Sequence, residues 1–372
     1  MRRKTKIGLL TGGGDCPGLN AVLRAVTKSA LKKGWHVIGF RDGYKGLVEN
    51  KFIHLRDRDV SGILVKGGTI LGTNNKANPF KYVLSPYASD KFPKDLSRRA
   101  FSIFKKNGLT ALVAIGGDGT LTMANRFHQM GMPIVGVPKT IDNDLSGTDI
   151  TFGFDSALDV ATDAVDKLHT TAESHHRILI VETMGRYAGW IALRAGIAGG
   201  GDIILIPEIP YKVGDIIQAV RKRRKRGKNF SIIVVAEGAR PMGGEMTIMK
   251  KLKDSPDPVR LGGVSYRIGD ILEKETGLET RVVILGHLQR GGRPTPFDRW
   301  LATGFGIKAV DLIEERKFGY MASFNNFRFS QVKISRAVGR LKKVDLRTCE
   351  VESVLRAGAS FGNFLVEAKI LK

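Results

Sequence analysis

Two short stretches decide the fold: Gly116-Gly117-Asp118-Gly119-Thr120, and Pro138-Lys139-Thr140-Ile141-Asp142-Asn143-Asp144. Each follows an apolar, β-branched run, at residues 111–115 and 134–137. Runs of this kind bounded by glycine and proline read as buried strands. Both blocks then fall at the carboxyl ends of strands, where open parallel sheets place their ligands. Glycine lets backbone N–H groups approach an anion closely. Asp118, Asp142 and Asp144 put carboxylates beside that anion, where a hydrated Mg²⁺ and a hydroxyl to be deprotonated would sit. Glycines next to carboxylates at strand ends point to phosphoryl transfer.

Working outward, residues 6–10 form a first strand, and the glycine-rich turn 11–20 leads into a helix reaching about Lys33. Further strands are expected at residues 35–40, 177–182, 203–206, 231–236 and 279–285, with an edge strand at 327–334. Helices are expected at 94–106, 121–129, 156–174, 264–276 and 297–315, and another starting near 213 and closed by the basic run 221–228. Residues 242–263 read as a loop, and the last twenty or so match no clear pattern. Strands alternating with helices mark an α/β protein with mainly parallel sheets. A domain crossing is expected just after the Asp142–Asp144 block.

The bulk numbers narrow the function. A chain of 372 residues with 42% hydrophobic content can build two cores. No apolar run reaches transmembrane length, which argues against a membrane protein. Two cysteines, Cys16 and Cys349, argue against a disulfide framework and fit a reducing cytoplasm. The net charge of +24 favours anionic ligands, phosphorylated metabolites as much as nucleic acid. The basic run at 221–228 has no interleaved aromatics to stack on bases and closes a helix, where cations are favourable. That argues against a nucleic-acid partner. His169, His175 and His176 lack the spacing of a metal triad. No dinucleotide fingerprint follows a strand, which argues against a nicotinamide-dependent dehydrogenase.

Five strand ends carry polar clusters. Two are acidic: Asp118, and Asp142 with Asp144. Three are basic or mixed: Arg177 with Met184-Gly185-Arg186, Glu237, and Arg281 with His287 and Arg290. Arginine grips phosphate in a planar, bidentate manner. The acidic half suits a nucleotide–metal complex, and the arginine-rich half suits a phosphorylated second substrate.

With these residues in view, the chain resembles the 6-phosphofructokinases. The landmarks stand in order over about residues 6–319: TGGGDCPGLN, LGT, GGDGT, PKTIDNDLSGTD, the MGR block, AEG and GHLQRGG. The GGDGT block alone also fits NAD kinases and diacylglycerol kinases, and the later blocks separate the families. The resemblance implies two similar three-layer α/β domains with mainly parallel sheets and an active site in the cleft between them. It implies a donor-binding domain of residues 1–153 with about 288–316. A fructose 6-phosphate domain would comprise 154–287 with about 317–345, and 346–372 would form an extension.

Carried over residue by residue, the resemblance implies that Gly14, Gly116, Gly117, Asp118, Gly119 and Thr120 cradle the donor. It places Lys139, Asn75 and Lys76 among the donor contacts, with Asp118 on Mg²⁺. Asp142 resembles the base that takes the proton of the sugar 1-hydroxyl. Thr140 would orient the transferred group, Asp144 would assist at metal or base, and Arg186 would stabilise the moving phosphoryl. Fructose 6-phosphate would meet Thr140, Ile141, Asp142, Met184, Gly185, Arg186, Glu237, His287 and Arg290. Arg177 and Arg281 match arginines that reach the 6-phosphate from a neighbouring subunit, so a homotetramer or homodimer is implied.

Two positions bear on the donor. Pyrophosphate-using relatives usually carry aspartate where this chain has Gly119, and the missing carboxylate leaves room for ATP. Those relatives also carry a lysine before the TIDND block, and this chain has Lys139. Exclusion is the stronger effect, so ATP is expected. The implied activity is the glycolytic one, giving fructose 1,6-bisphosphate. A pyrophosphate enzyme, or a sedoheptulose phosphate as acceptor, stands as the alternative. Lys28 and His169 occupy positions where effector-site arginines are expected, so effector control is not implied.

Overall fold

A computed structural model describes residues 5–83, 93–251 and 259–372. In chain order its strands are β1 (Lys6–Thr11), β2 (His36–Phe40), β3 (Phe52–His54), β4 (Ala111–Gly116) and β5 (Ile134–Pro138). There follow β6 (Ile178–Thr183), β7 (Ile203–Leu205), β8 (Ser231–Ala236), β9 (Ile248–Lys251) and β10 (Val259–Leu261). The last three are β11 (Thr280–Ile284), β12 (Tyr320–Asn325) and β13 (Arg328–Lys333). The chain divides into two compact units. The first comprises residues 1–141, 145–156 and 290–341; the second comprises 142–144, 157–289 and 342–372.

The first unit is built on a seven-stranded sheet in the order β13-β12-β5-β4-β1-β2-β3. Its five central strands are parallel, and β3 and β13 close the edges antiparallel. Every residue of β4 and β5 is buried, which is why both read as continuous apolar runs rather than alternating ones. Register sets Val113 opposite both Leu9 and Val135. On one face pack the helices Leu19–Lys32 and Pro296–Glu314. The first buries Leu19, Val22, Leu23, Val26 and Ala30, a single stripe at helical spacing. Phe40, Tyr44, Phe80, Leu112, Leu121 and Phe127 belong to a second buried cluster, in which Tyr44 stacks on Phe127 at 5.8 Å. Sheet and flanking helices make three layers.

The second unit has a fully parallel sheet, β11-β6-β8-β7. Ile178, Ile180, Ile233 and Val235 pack with Ile216 and Val220 of the helix Val213–Lys225 and with Ile268 and Leu272 of the helix Val264–Thr276. The helix Trp190–Ala198 also packs on this sheet. Two α/β units with mainly parallel sheets therefore agree with the reading of the sequence.

Three expectations need correction. Residues 242–263 are not all loop, because β9 and β10 pair there as an antiparallel ribbon. The edge strand expected at 327–334 is present as β13, carried outside β12, which pairs with β5. Residues 317–341 therefore complete the first unit's sheet instead of joining the second domain. Residues 346–372 are not an appended tail. Ser360 bridges to Ile203 of β7, Phe361 is fully buried, and the helices Cys349–Arg356 and Phe364–Ile370 form there. These segments hold few consecutive apolar residues, so backbone pairing rather than pattern fixes them.

Candidate functional site

The donor-type residues of the first unit gather around the turn after β1. Gly14 sits between two cations. Lys139 is only 5% exposed, and its ammonium donates to the Gly14 carbonyl. A Cβ at Gly14 would lie 1.7 Å from a guanidinium nitrogen of Arg290, so glycine is what lets that arginine settle there. Thr73 Oγ1 donates to the carbonyls of Gly13 at 2.6 Å and Thr11 at 3.1 Å, stitching the 69–76 loop to the turn. Within that loop, Asn74 Oδ1 accepts from the backbone N–H of Lys76 at 2.8 Å. The side chains of Asn75 and Lys76 are exposed.

The GGDGT block turns directly from β4 into the helix Asp118–Gln129, with Gly117 as its cap. The helix thus begins three residues earlier than the sequence pattern predicts. A Cβ at Gly116 would lie 2.4 Å from the Thr120 Cβ, so the tight return of the chain requires glycine there. Asp118 lies in the first turn, where the helix dipole favours an anion. Its Oδ1 accepts from the Gly339 backbone N–H at 2.8 Å. Gly119 is exposed, and a Cβ added there would meet nothing within 4 Å. Thr151 Oγ1 donates to the Thr140 carbonyl at 2.8 Å, and Ile141 is buried. Asp118 is the residue here that could hold Mg²⁺, which takes one or two protein carboxylates and completes its shell with phosphate and water.

In the second unit, Asp142 and Asp144 flank Asn143, which is 1% exposed and has a φ of 51°. Asparagine tolerates that left-handed backbone better than most residues. The loops after β6 and β8 run backbone against backbone. The Gly238 N–H donates to the Gly185 carbonyl at 3.2 Å, and a Cβ at Gly238 would lie 1.9 Å from the Arg186 carbonyl oxygen. This seats Met184, Gly185 and Arg186 beside Glu237, whose N–H donates to the Thr183 carbonyl at 2.9 Å. The Arg186 guanidinium lies over the Tyr187 ring at 4.8 Å from its centroid. Arg177 and Arg281 are brought together by Glu279, which pairs with both and is held below the usual carboxylate range chiefly by Arg177. His287 lies exposed on the short 3-10 helix Gly286–Arg290.

Three supporting carboxylates escaped the sequence reading. Asp298 is fully buried and accepts from the N–H groups of Gly153 at 2.9 Å and Ser156 at 2.8 Å and from Ser156 Oγ at 2.6 Å. Burial nonetheless outweighs these donors and pushes its pKa up to about 6. Glu182, 2% exposed, accepts from the N–H groups of Gly263 at 3.0 Å and Ser265 at 3.1 Å and from the Ser265 hydroxyl. Glu208 accepts from Gly189 N–H at 3.1 Å and Val344 N–H at 2.9 Å, and burial raises its pKa. Acids that satisfy backbone groups of distant segments leave no local motif. His169 shares a hydrogen bond with the Gly199 carbonyl at 2.6 Å, and Arg223 pairs with Asp202 at 2.6 Å.

A family model described as phosphofructokinase matches residues 6–313. The chain belongs to the phosphofructokinase family. This phosphofructokinase is 51% identical over 368 residues to the ATP-dependent 6-phosphofructokinase 2 of Clostridium perfringens, covering 98% of this chain and all of that one. It is 48% identical over 342 residues to the pyrophosphate--fructose 6-phosphate 1-phosphotransferase of Streptomyces coelicolor, covering 91% and 96% of the two chains. Among solved structures, the T-state phosphofructokinase of Pichia pastoris superposes with a TM-score of 0.78 at 32% identity. That likeness covers all of this chain and 38% of the Pichia pastoris chain, so the present chain spans about two fifths of it.

Proposed function

We propose that this phosphofructokinase transfers a phosphoryl group from ATP to the 1-hydroxyl of fructose 6-phosphate, giving fructose 1,6-bisphosphate. The observation that carries the choice of ATP is the open, uncharged space at Gly119. An acidic side chain there would repel the α-phosphate, and glycine does not. Lys139 favours the second reading, pyrophosphate, which the Streptomyces coelicolor relative also represents. Its ammonium is committed in part to the Gly14 carbonyl, however, and a cation attracts either donor.

In this reading the turn at Gly14 and the amides of the GGDGT block hold the donor phosphates. Asp118 would hold Mg²⁺, which when bound neutralises charge on the transferring group. Asp142 accepts the proton of the sugar hydroxyl, with Thr140 orienting the phosphoryl and Asp144 assisting. Arg186 offsets charge as the group moves. Phosphoryl transfer needs alignment and neutralisation more than covalent help. Met184, Gly185, Glu237, His287 and Arg290 bind the sugar phosphate. Arg177 and Arg281 serve the 6-phosphate of a neighbouring subunit in a homodimer or homotetramer. Among the described residues no helix is long and apolar enough to cross a membrane, and the proposed location is the cytoplasm. Initial rates with ATP and with pyrophosphate, each with Mg²⁺, test the donor. Turnover with ATP is expected; turnover with pyrophosphate alone overturns the choice.

A further inference from the structure

Lys342 lies beyond residues 6–313, which the family model matches, yet it grips the Asp142–Asp144 loop at two points. Its backbone N–H donates to the Asp144 carbonyl at 2.7 Å, and its ammonium donates to Asn143 Oδ1 at 2.9 Å. The lysine is itself held from behind. Trp190 Nε1 donates to the Lys342 carbonyl at 3.0 Å, and the ammonium lies 5.6 Å from the centroid of the Trp190 ring. Trp190 is 8% exposed and fixed at the start of its helix. Two residues on, the Val344 N–H donates to Glu208, which also accepts from Gly189 just before that helix. The segment is therefore anchored on the second unit at both Trp190 and Glu208.

The loop it holds needs holding. Asn143 carries a left-handed backbone while 1% exposed, a conformation that persists only where surroundings enforce it. The peptide planes on either side of Asn143 set the directions of the Asp142 and Asp144 carboxylates. We propose that Lys342 is a positioning residue for phosphoryl transfer, fixing the Asp142–Asp144 loop through Asn143 and Asp144 with Trp190 as its backstop. This rests on Asp142 acting as the base of the proposed reaction. Both of these bonds from Lys342 go to the loop's backbone and to Asn143, so the contribution of Lys342 is expected in kcat rather than in binding of either substrate.

The test is steady-state kinetics of the full-length Lys342→Met and Lys342→Arg variants, with melting temperatures alongside. Methionine keeps the stem over Trp190 and removes the charged donor. Loss of one charge-assisted hydrogen bond to the loop corresponds to a fall of about 10-fold to 100-fold in kcat. The KM values for donor and for fructose 6-phosphate are expected to stay within about twofold of wild type. Arginine can still donate to Asn143 and stack on the indole, so Lys342→Arg is expected to recover most of the loss. An unchanged kcat in Lys342→Met overturns the proposal. So does a loss that arginine does not repair and that follows a lowered melting temperature with both KM values raised. If Lys342→Met does not fold, Trp190→Phe carries the test, because it removes the donor to the Lys342 carbonyl and keeps an aromatic face. Its kcat must then fall selectively. Wild type inactive on fructose 6-phosphate with both donors would instead overturn the function proposed above.

Discussion

Replacing Gly119 by aspartate puts the donor assignment under direct strain. A Cβ at this position meets nothing within 4 Å, so the new side chain has room. The residue lies in the first turn of the helix Asp118–Gln129, where an added acid gains about 0.3–1 kcal/mol from the dipole. Glycine is also among the poorest helix formers, so its removal adds up to about 0.5 kcal/mol. The folded protein should therefore be at least as stable. The donor fares differently. Two unit charges about 4 Å apart repel by about 4 kcal/mol at the effective dielectric near a protein surface. Allowing about a quarter for salt screening and side-chain rotation away from the phosphate leaves about 3 kcal/mol. At about 1.4 kcal/mol per decade, that is a loss of about 100-fold in kcat/KM for ATP. The assay compares wild type, Gly119→Asp and Gly119→Ala with varied ATP and saturating fructose 6-phosphate, with melting curves for each. Gly119→Ala fills space without charge and should keep most of the ATP activity. Should Gly119→Asp retain kcat/KM for ATP within about threefold of wild type while folding normally, the electrostatic reasoning for ATP is wrong.

Asp142→Asn and Arg186→Ala should each keep the fold and lower turnover by at least about 100-fold, the smaller effect of losing a base or a charge-stabilising donor; near-normal turnover in either variant removes that residue from the mechanism. Asp298 titrates at about 6 in the folded chain against an ordinary 3.8, so the native state binds more protons than the unfolded state between those values. Its contribution is complete below about pH 4 and is lost as pH rises through about 6, amounting to about 3 kcal/mol. Denaturation midpoints of wild type and Asp298→Asn across that range should show wild type losing ground as pH rises; a gain would refute the sign. Burial pushes the Cys16 thiol up to about 12, whereas Cys349 is exposed. A small alkylating reagent should label one thiol in the native protein and two after unfolding, and two labels before unfolding would contradict the packing at Cys16.

Much of this was legible because the relevant signals are local. β4 and β5 announce themselves through apolar runs, and the glycines and acids that follow sit at their carboxyl ends. What the sequence hid depends on long-range backbone pairing. Residues 327–334 read as an edge strand, but nothing in 317–326 declares a strand inside it, because β12 owes its place to pairing with β5. Ser360 likewise joins β7 through backbone groups, with Ile204 N–H donating to its carbonyl at 2.8 Å. Arg290 shows the same limit within the site. By resemblance it belongs with the sugar-phosphate ligands, yet its guanidinium rests against Gly14, a position no spacing rule connects to it.

These long-range pairings bear on the proposed function because, in each unit, they reach an acidic loop. Gly339 N–H bonds to Asp118, and Lys342 N–H bonds to the Asp144 carbonyl. Val344 N–H bonds to Glu208. Within the first unit Gly339 thus reaches Asp118, and within the second unit Lys342 and Val344 reach Asp144 and Glu208. Backbone donors are well suited to the task, since substitution leaves all but proline able to perform it. At Lys342 the side chain adds a second bond, to Asn143. These backbone bonds are therefore robust to drift at Gly339 and Val344 except where a proline ring or the loss of the left-handed conformation at Gly339 intrudes. Proline at 344 removes the donor to Glu208 and should loosen the hold at Gly189 and Trp190 together, whereas alanine there loses only apolar packing.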